Sequence, residues 1–478
     1  MVKEKEYSTT KGKKPLIVMK FGGTSVGNAD RMQSVGEIIA EHARSAEVVV
    51  VVSAMGGVTD MLIRAAREAS QGDRKHWKGV RQELARRHRE VADRLLSAAE
   101  QAIVLPRLAE QVGNLENLCS GFSLVRELTP RAMDTLSSLG EVMSATLMAS
   151  ILRSAGVAAE AVDATELIVT DENFGNASPR FEETNAKTRQ RLAPLRRQGT
   201  IPVVTGFRGA TADGLCTTLG RGGSDYSGTI IGAALDADEV WIWTDVDGVM
   251  SADPRLVPGA RIIPEISYRE AIELSFFGAK VLHPKTIHPV MKKKIPVWIK
   301  NSFNPACPGT KIAPVAKNER PGVKAITSIS DADLITMSGK DTLSFPRLAT
   351  RVFNGLHLED VTTLMVTQSS ADNVLCFAVR DADLPRVKAR LEKTFELEML
   401  HEYVGILDVM PKIAIVVAIG ENMKGTPGIA GRAFGALGRR GINIIAIAQG
   451  SSELSISFAV KSADVKDAVK AIHEEFQL

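Results

Sequence analysis

At 478 residues, with 44% hydrophobic and 24% charged residues and a formal net charge of +3, the chain has the composition of a soluble globular protein of several domains. That balance gives no general attraction to nucleic acid or anionic membrane, and no run approaches the roughly 18 apolar residues of a membrane span. The four cysteines (Cys119, Cys216, Cys307, Cys376) stand far apart, which speaks against a zinc knuckle or redox pair and suits reduced thiols in a cytoplasmic protein.

Residues 1–14 are charged, lack the apolar core of a signal peptide and read as a disordered tail. LIVMKF (16–21) then reads as a buried strand leading into VMKFGGTSVG, where Lys20 stands before Gly22 and Gly23. In the Walker loop the lysine follows the glycines, and that pattern is absent here. Glycines let backbone N–H groups approach an anion closely, and the lysine adds a point charge. A tight structural turn is the competing reading.

After a second strand, EVVVVVSA (47–54), the stretch from Thr59 to Ala155 has almost no strand signal and reads as a helical insertion. Within it, RQELARRHRE (81–90) interleaves bases with acids at helical spacing, as a solvated helix face does. SSLGEVMSATLMAS (137–150) carries one acid, Glu141, in an apolar helix. A buried lone carboxylate is costly, so it is expected to meet a cation of the protein or of a ligand.

Strand IPVVTGF (201–207) precedes TLGRGGSDYSGT (218–229), a glycine-rich loop opening a helix. Ser224 or Asp225 reads either as a simple N-cap or, with Gly222 and Gly223, as part of an anion site at the positive helix end. Arg221 offers a fork suited to a carboxylate. Strand EVWIWTD (239–245) runs into TDVDGVMSADPR, whose Asp245 and Asp247 lack the rest of a calcium loop and suit a nucleotide- or magnesium-facing turn. FGAKVLHP (277–284) places Lys280 near a helix end, and His283 and His288, each followed by proline, read as structural. With strand IPVWIK (295–300), these apolar runs predict a mostly parallel sheet buried on both faces, bounded by the Pro/Gly-dense FNPACPGTKI (303–312).

Beyond that boundary the chain repeats itself. TQSSADNVLCFAV (367–379) aligns with AQGSSELSISFAV (448–460), Gln368 on Gln449, an offset of 81 residues. The same offset pairs Gly339 with Gly420, Arg351 with Arg432 and Phe395 with Phe476. Each copy reads strand, loop, helix, strand, strand, helix, and a duplicated α+β unit beside an α/β domain suggests a sensing module.

KFGGTSV, VVSAMGGVTD (51–60), LGEVMSA, GRGGSD, TDVDGV…DPR and FGAKVLHP, in this order, resemble the aspartate kinases of the amino acid kinase superfamily. The repeat resembles that family's paired ACT domains, and the resemblance covers about residues 15–478, nearest the threonine-sensitive type. It implies a three-layer α/β kinase fold at 15–312, with 59–155 as the helical insertion, then two ferredoxin-like ACT domains at 323–397 and 411–478. The implied reaction moves the ATP γ-phosphoryl group to the β-carboxylate of L-aspartate, the first step of lysine, threonine and methionine biosynthesis. Mg2+ arrives with ATP, so no protein metal cluster is expected.

By the same resemblance, Lys20 follows the phosphoryl group and Asp225 orients it, while Gly22, Gly23, Thr244, Asp245, Arg255 and Lys280 match the nucleotide side. Glu141 matches the contact to the substrate ammonium and Arg221 that to its α-carboxylate, with Ser53, Thr59, Gly222, Gly223 and Ser224 completing the pocket. Met250 stands where many relatives have tyrosine, which removes a hydroxyl from the nucleotide side. ACT domains imply a homodimer or dimer of dimers with an effector between units. Gln368 and Gln449, with Asn443 as a weaker candidate, suit the hydroxyl of threonine, although glutamines also simply end strands.

The rival readings are a superfamily kinase acting on glutamate, acetylglutamate or a nucleoside monophosphate, and a non-catalytic amino-acid sensor. The helical insertion, the repeats and the joint presence of Lys20, Arg221, Asp225 and Lys280 weigh against both. Without a G-x-G-x-x-G unit, no homoserine dehydrogenase activity is expected.

Overall fold

The computed structural model describes residues 14–279, 282–315, 322–339, 343–369, 373–401 and 403–478. All but the last residue of the expected tail lie outside these, and the last, Lys14, is anchored by its Nζ to the Arg44 carbonyl at 2.8 Å. The chain divides into two compact units, the first comprising residues up to Val249, Pro264–Tyr268 and Val281–Ala316, the second the remainder.

The first unit begins β1 (Leu16–Phe21), α1 (Ala29–Ala43), β2 (Glu47–Val52), then five successive helices. These are α2 (Val58–Ser70), α3 (Arg74–Leu95), α4 (Ala98–Val125), α5 (Pro130–Ser137) and α6 (Leu139–Ser154). It continues β3 (Ala159–Val162), β4 (Val169–Thr170), α7 (Phe181–Arg197), β5 (Ile201–Thr205), β6 (Arg208–Thr211), β7 (Cys216–Thr218), α8 (Gly223–Ala234), β8 (Glu239–Thr244) and β9 (Glu265–Ser267). After α9 (Tyr268–Phe276), nearly all of it in the second unit, come α10 (Pro284–Lys293), β10 (Val297–Asn301) and β11 (Thr310–Ala313).

Eight strands form one sheet in the order β3-β5-β2-β1-β8-β10-β11-β9, and only the β10–β11 pair is antiparallel. The continuous apolar runs of β1 and β2 are buried on both faces, as a parallel sheet covered by helices requires. Ile17, Met19, Phe21, Val48, Val50 and Val52 pack with α1 and the helical insertion in one core. On the opposite face α8 runs over β1 and β8. Its closeness depends on glycine: a Cβ at Gly228 would press on Lys20 Cβ at 3.2 Å, and one at Gly232 would collide with Val240.

Three expectations are corrected. β1 coincides with its apolar run, but β2 and β5 stop short of theirs, because Ser53, Ala54, Gly206 and Phe207 leave the sheet to build loops. The boundary at 303–312 is not where the first unit ends, since β11 pairs with β10 and the second unit also takes in 250–263 and 269–280. Pro130–Ser154 is, by length and composition, apolar enough to cross a membrane, yet 83% of its most apolar stretch is buried in the protein.

The second unit runs β12 (Ala325–Gly339), α11 (Phe345–Leu358), β13 (Met365–Ser369), β14 (Val374–Arg380), α12 (Leu384–Thr394) and α13 (Glu396–Leu400). The pattern repeats as β15 (Val404–Ile419), α14 (Ile429–Arg439), β16 (Ala446–Gln449), β17 (Ser455–Lys461) and α15 (Val465–Phe476). Six antiparallel strands join the copies in the order β13-β14-β12-β15-β17-β16, and each copy has its own helix-covered core.

The segment with Met250 and Arg255 is part of this unit: Ser251 accepts from Ile326 N–H at 2.8 Å, and its hydroxyl meets His473 at 3.0 Å. So is α9, whose buried Glu270 pairs with Lys324 at 3.1 Å and accepts from Glu421 N–H at 2.7 Å.

Candidate active site

Three loops converge in the first unit, after β1, after β2 and between β7 and α8, with the end of β8 beside them. The first follows β1: Lys20 is 7% exposed and forms an ion pair with Asp225 in the first turn of α8. Gly22 N–H is held by the Trp243 carbonyl at 3.1 Å, which turns the loop back across the sheet end. A Cβ at Gly23 would lie 2.8 Å from the Ala54 carbonyl, so this close approach of two loops requires glycine. Gly56 N–H donates to Gly23 O at 2.9 Å and completes the join.

The second loop follows β2. Ser53 lies beside the third, since Ser224 Oγ donates to Ser53 Oγ at 3.2 Å. Thr59 is half-buried in the first turn of α2. Glu141, in the first turn of α6, is 2% exposed, and its Oε2 has no hydrogen-bond partner. Burial pushes its carboxyl up to about 8, against the opposing pull of the Ala54 and Glu141 amides and the charges of Arg208 and Lys20. The cation expected for Glu141 is therefore not a direct ion-pair partner within the described residues.

The third loop enters α8 through Gly222, whose φ of 71° and closeness to His283 (2.8 Å for a Cβ) both demand glycine. Gly223 faces the ring of Phe207, itself at a φ of 69°, a conformation costly for a side-chain-bearing residue. Ser224 and Asp225 sit at the positive end of the 12-residue helix, where an anion is favoured. Arg221 is exposed, and its charge helps to hold the His283 ring below its ordinary range, after burial and Lys285. His283 caps α10, accepting from Lys285 N–H at 3.3 Å, in keeping with a structural histidine.

At the end of β8, Thr244 Oγ1 donates to Asp245 at 3.1 Å, and Asp245 is exposed. Asp247 instead accepts from Asn301 and Asn304 at 2.9 and 3.1 Å, so it shapes the turn. Arg255 belongs to the second unit, where it forks onto Asp253 at 2.6 Å. Lys280 lies outside the described residues. In the second unit Gln368 and Gln449 lie exposed on β13 and β16, the two edge strands, which approach each other within 8 Å; Asn443 is also exposed.

Sequence reasoning missed several neighbours. The stretch 81–90 is not only a solvated face: Leu84 and His88 are buried, and Arg87 turns inward to bond the Gly27 and Gly56 carbonyls. Buried Asp134 of α5 accepts from Gly175 N–H, Thr218 N–H and Thr218 Oγ1 at 2.8–2.9 Å, bracing the strand that leads into GRGGSD. Arg208 reaches Asp163 at 3.3 Å and the Ser138 carbonyl, at the head of Glu141's helix, at 3.4 Å.

The profile of the amino acid kinase family matches residues 15–301, and that of the ACT domain matches residues 416–476. The bifunctional aspartokinase/homoserine dehydrogenase 1, chloroplastic, of Arabidopsis thaliana is 34% identical over 467 residues, 96% of this chain and 51% of the relative. The chain thus spans about half the length of the bifunctional relatives it matches. Aspartokinase 3, chloroplastic, of the same plant is 33% identical, covering 97% of this chain and 82% of its own. Among solved structures, E. coli aspartokinase III in complex with aspartate and ADP (R-state) superposes with a TM-score of 0.82 at 28% identity, covering 97% of this chain and all of the other. The same E. coli protein with lysine and aspartate (T-state) gives 0.78 at 30% identity, covering 96% and 99%.

Proposed function

The chain belongs to the amino acid kinase family, in its aspartokinase branch, and from that premise we propose that it phosphorylates the β-carboxylate of L-aspartate with Mg-ATP, giving 4-phospho-L-aspartate and ADP. The observation that carries the reading is the pairing of Lys20 with Asp225 at the head of α8, beside Gly22 and Gly23. A carboxylate is already a nucleophile, so no general base is needed. The work is to bring two anions together and to neutralise the charge that builds on the transferring group.

In this mechanism the β-carboxylate oxygen attacks the γ-phosphorus and the bond to the β,γ-bridging oxygen breaks, with ADP leaving. Lys20 Nζ exchanges Asp225 for the phosphoryl oxygens and follows them through the transition state. Asp225 holds the lysine until then and orients it afterwards. Gly23 presents its backbone N–H to the phosphates and Gly22, its own N–H held by the Trp243 carbonyl, keeps the loop against the sheet end, while Thr244 and Asp245 serve the nucleotide. Mg2+ enters with ATP, as part of the substrate.

The aspartate ammonium is the missing cation of Glu141. Because burial raises that carboxyl to about 8, most of it is protonated at neutral pH before substrate arrives, and binding expels the proton. Arg221 takes the α-carboxylate, with Ser53, Thr59, Gly222, Gly223 and Ser224 around it. The test is an ATP-dependent hydroxamate assay across carboxylic amino acids. Aspartate is expected to give the most product, and a preference for glutamate or acetylglutamate overturns the assignment.

The duplicated unit completes the proposal: threonine binds at Gln368, Gln449 and Asn443 and inhibits the kinase, in a homodimer or dimer of dimers located in the cytoplasm. Approach of the two glutamine-bearing edge strands supports a shared effector pocket. A preference of about 1–3 kcal/mol for the less active arrangement suffices for inhibition. Inhibition by lysine but not threonine overturns the effector, and threonine inhibition surviving Gln368→Ala and Gln449→Ala overturns the pocket.

A further inference from the structure

The helical insertion supplies Glu141, but a second residue from it reaches the loops from behind. Arg87 is part-buried on α3, and its Nη2 donates both to the Gly27 carbonyl at 3.2 Å and to the Gly56 carbonyl at 3.0 Å. Its Nη1 rests on Met61 Sδ at 3.9 Å. These bonds go to neutral acceptors, and it forms no ion pair among the described residues, in contrast to Arg86 beside it, which pairs with Glu83 and Glu90. One guanidinium thus spends its donors on carbonyls from two loops that are far apart in sequence.

We propose that Arg87 is a positioning residue for phosphoryl transfer: it fixes the register between the loop after β1 and the loop after β2. This inference rests on the kinase reading above, in which the first loop holds phosphate and the second borders the amino acid. The loops are already joined on their inner side, where Gly56 N–H donates to Gly23 O at 2.9 Å. At the base of the loops Ser53 N–H also donates to Phe21 O at 3.1 Å, so both of these joins lie close to the sheet end. Arg87 adds an attachment farther out, at Gly27 just before the Asn28 cap of α1 and at Gly56 just before Gly57 and α2. An attachment at the outer ends restrains the loop motion that joins near the sheet still allow.

The geometry suits arginine because one planar, charged head serves two acceptors in fixed directions, whereas an ammonium is a compact point charge on a flexible stem. Donor phosphate and acceptor carboxylate belong to different loops, so slack between the loops moves the reacting atoms apart. A misplacement of about 1 Å is enough to cost about 100-fold in rate.

The test compares Arg87→Met, which keeps the stem volume, with Arg87→Lys and the unsubstituted protein. Steady-state kinetics for both substrates are combined with amide hydrogen exchange over residues 22–28 and 53–58. In Arg87→Met, kcat is expected to fall about 10–100-fold with smaller changes in either KM. Exchange should rise in both loops together while the strands keep their protection. Arg87→Lys should recover only part of both effects. Unchanged kcat and loop exchange in Arg87→Met overturn the proposal, as does exchange rising throughout α3 and the sheet, which marks general destabilisation. Full recovery by lysine overturns the requirement for a guanidinium. Should the unsubstituted protein give no acyl phosphate, the kinase reading fails on that result, and the exchange data still decide whether Arg87 ties the loops.

Discussion

On the proposed phosphate side of the site, Lys20 already has an anionic partner in Asp225. On the amino-acid side, Glu141 is buried with an unpartnered oxygen, and its carboxyl is driven up to about 8. One half is charge-compensated before any ligand binds, and the other, in the proposed mechanism, is completed by the substrate ammonium. The difference sorts the expected mutational effects: losses on the phosphate side fall on turnover, losses on the amino-acid side on affinity and on pH dependence.

The largest effect is therefore expected from Lys20→Ala. Removing one well-placed transition-state donor costs about 100–1,000-fold in kcat, with a much smaller change in the KM for ATP. Hydroxamate kinetics at saturating aspartate measure it. Turnover near that of the unsubstituted protein returns KFGGTS to a mere turn and removes one side of the comparison.

Next is the amino-acid side. Glu141→Ala and Arg221→Ala each strand an opposite charge of the bound zwitterion, a loss of roughly 2–5 kcal/mol that appears as a raised KM for aspartate. A loss of ATP affinity with unchanged aspartate saturation contradicts the division of labour. Glu141→Gln sharpens it through pH. For the parent protein, kcat/KM for aspartate is expected to rise with pH through a midpoint near 8 before it levels off, because free-enzyme Glu141 must be ionised to receive the ammonium. The glutamine variant lacks that step.

Stability moves the opposite way. With its folded value raised from 4.5 to about 8, Glu141 binds more proton in the folded than in the unfolded chain across that interval. The unliganded protein therefore loses stability as pH climbs through it, and Glu141→Gln flattens the slope in a thermal-unfolding series.

The two sides were not equally legible in the sequence. Apolar runs such as VVVVV announced the parallel sheet, since strands buried on both faces need no alternation, and Met365/Ala446, Val374/Ser455 and Leu384/Val465 begin matching elements 81 residues apart. Glu141 stood out because a lone acid in an apolar helix has no local explanation. Arg87 did not, because a charged helix with acids at i±3 and i±4 looks solvated whichever arginine turns inward; its acceptors are carbonyls 31 and 60 residues away. The membership of Met250 and Arg255 in the second unit was equally hidden, resting on Ser251 meeting His473, 222 residues later.

The smallest expected effect tests whether the amino-acid side is tuned by charge at a distance. Arg208 makes no ion pair with Glu141; it is held by Asp163 at 3.3 Å and by the Ser138 carbonyl, yet its charge favours the ionised Glu141. Arg208→Gln removes that charge, so the rise in kcat/KM for aspartate should move to higher pH by a fraction of a unit, while the plateau stays near the parent value. Arg208→Lys keeps the charge at lower hydrogen-bonding capacity and should leave the step in place. Were Arg208 instead to contact the substrate carboxylate, the glutamine variant would raise the KM for aspartate at every pH, plateau included. Were it only a brace for Asp163, neither step nor plateau would move, and the loss would appear in thermal stability alone. A displaced step with an intact plateau is the one outcome that requires action through Glu141.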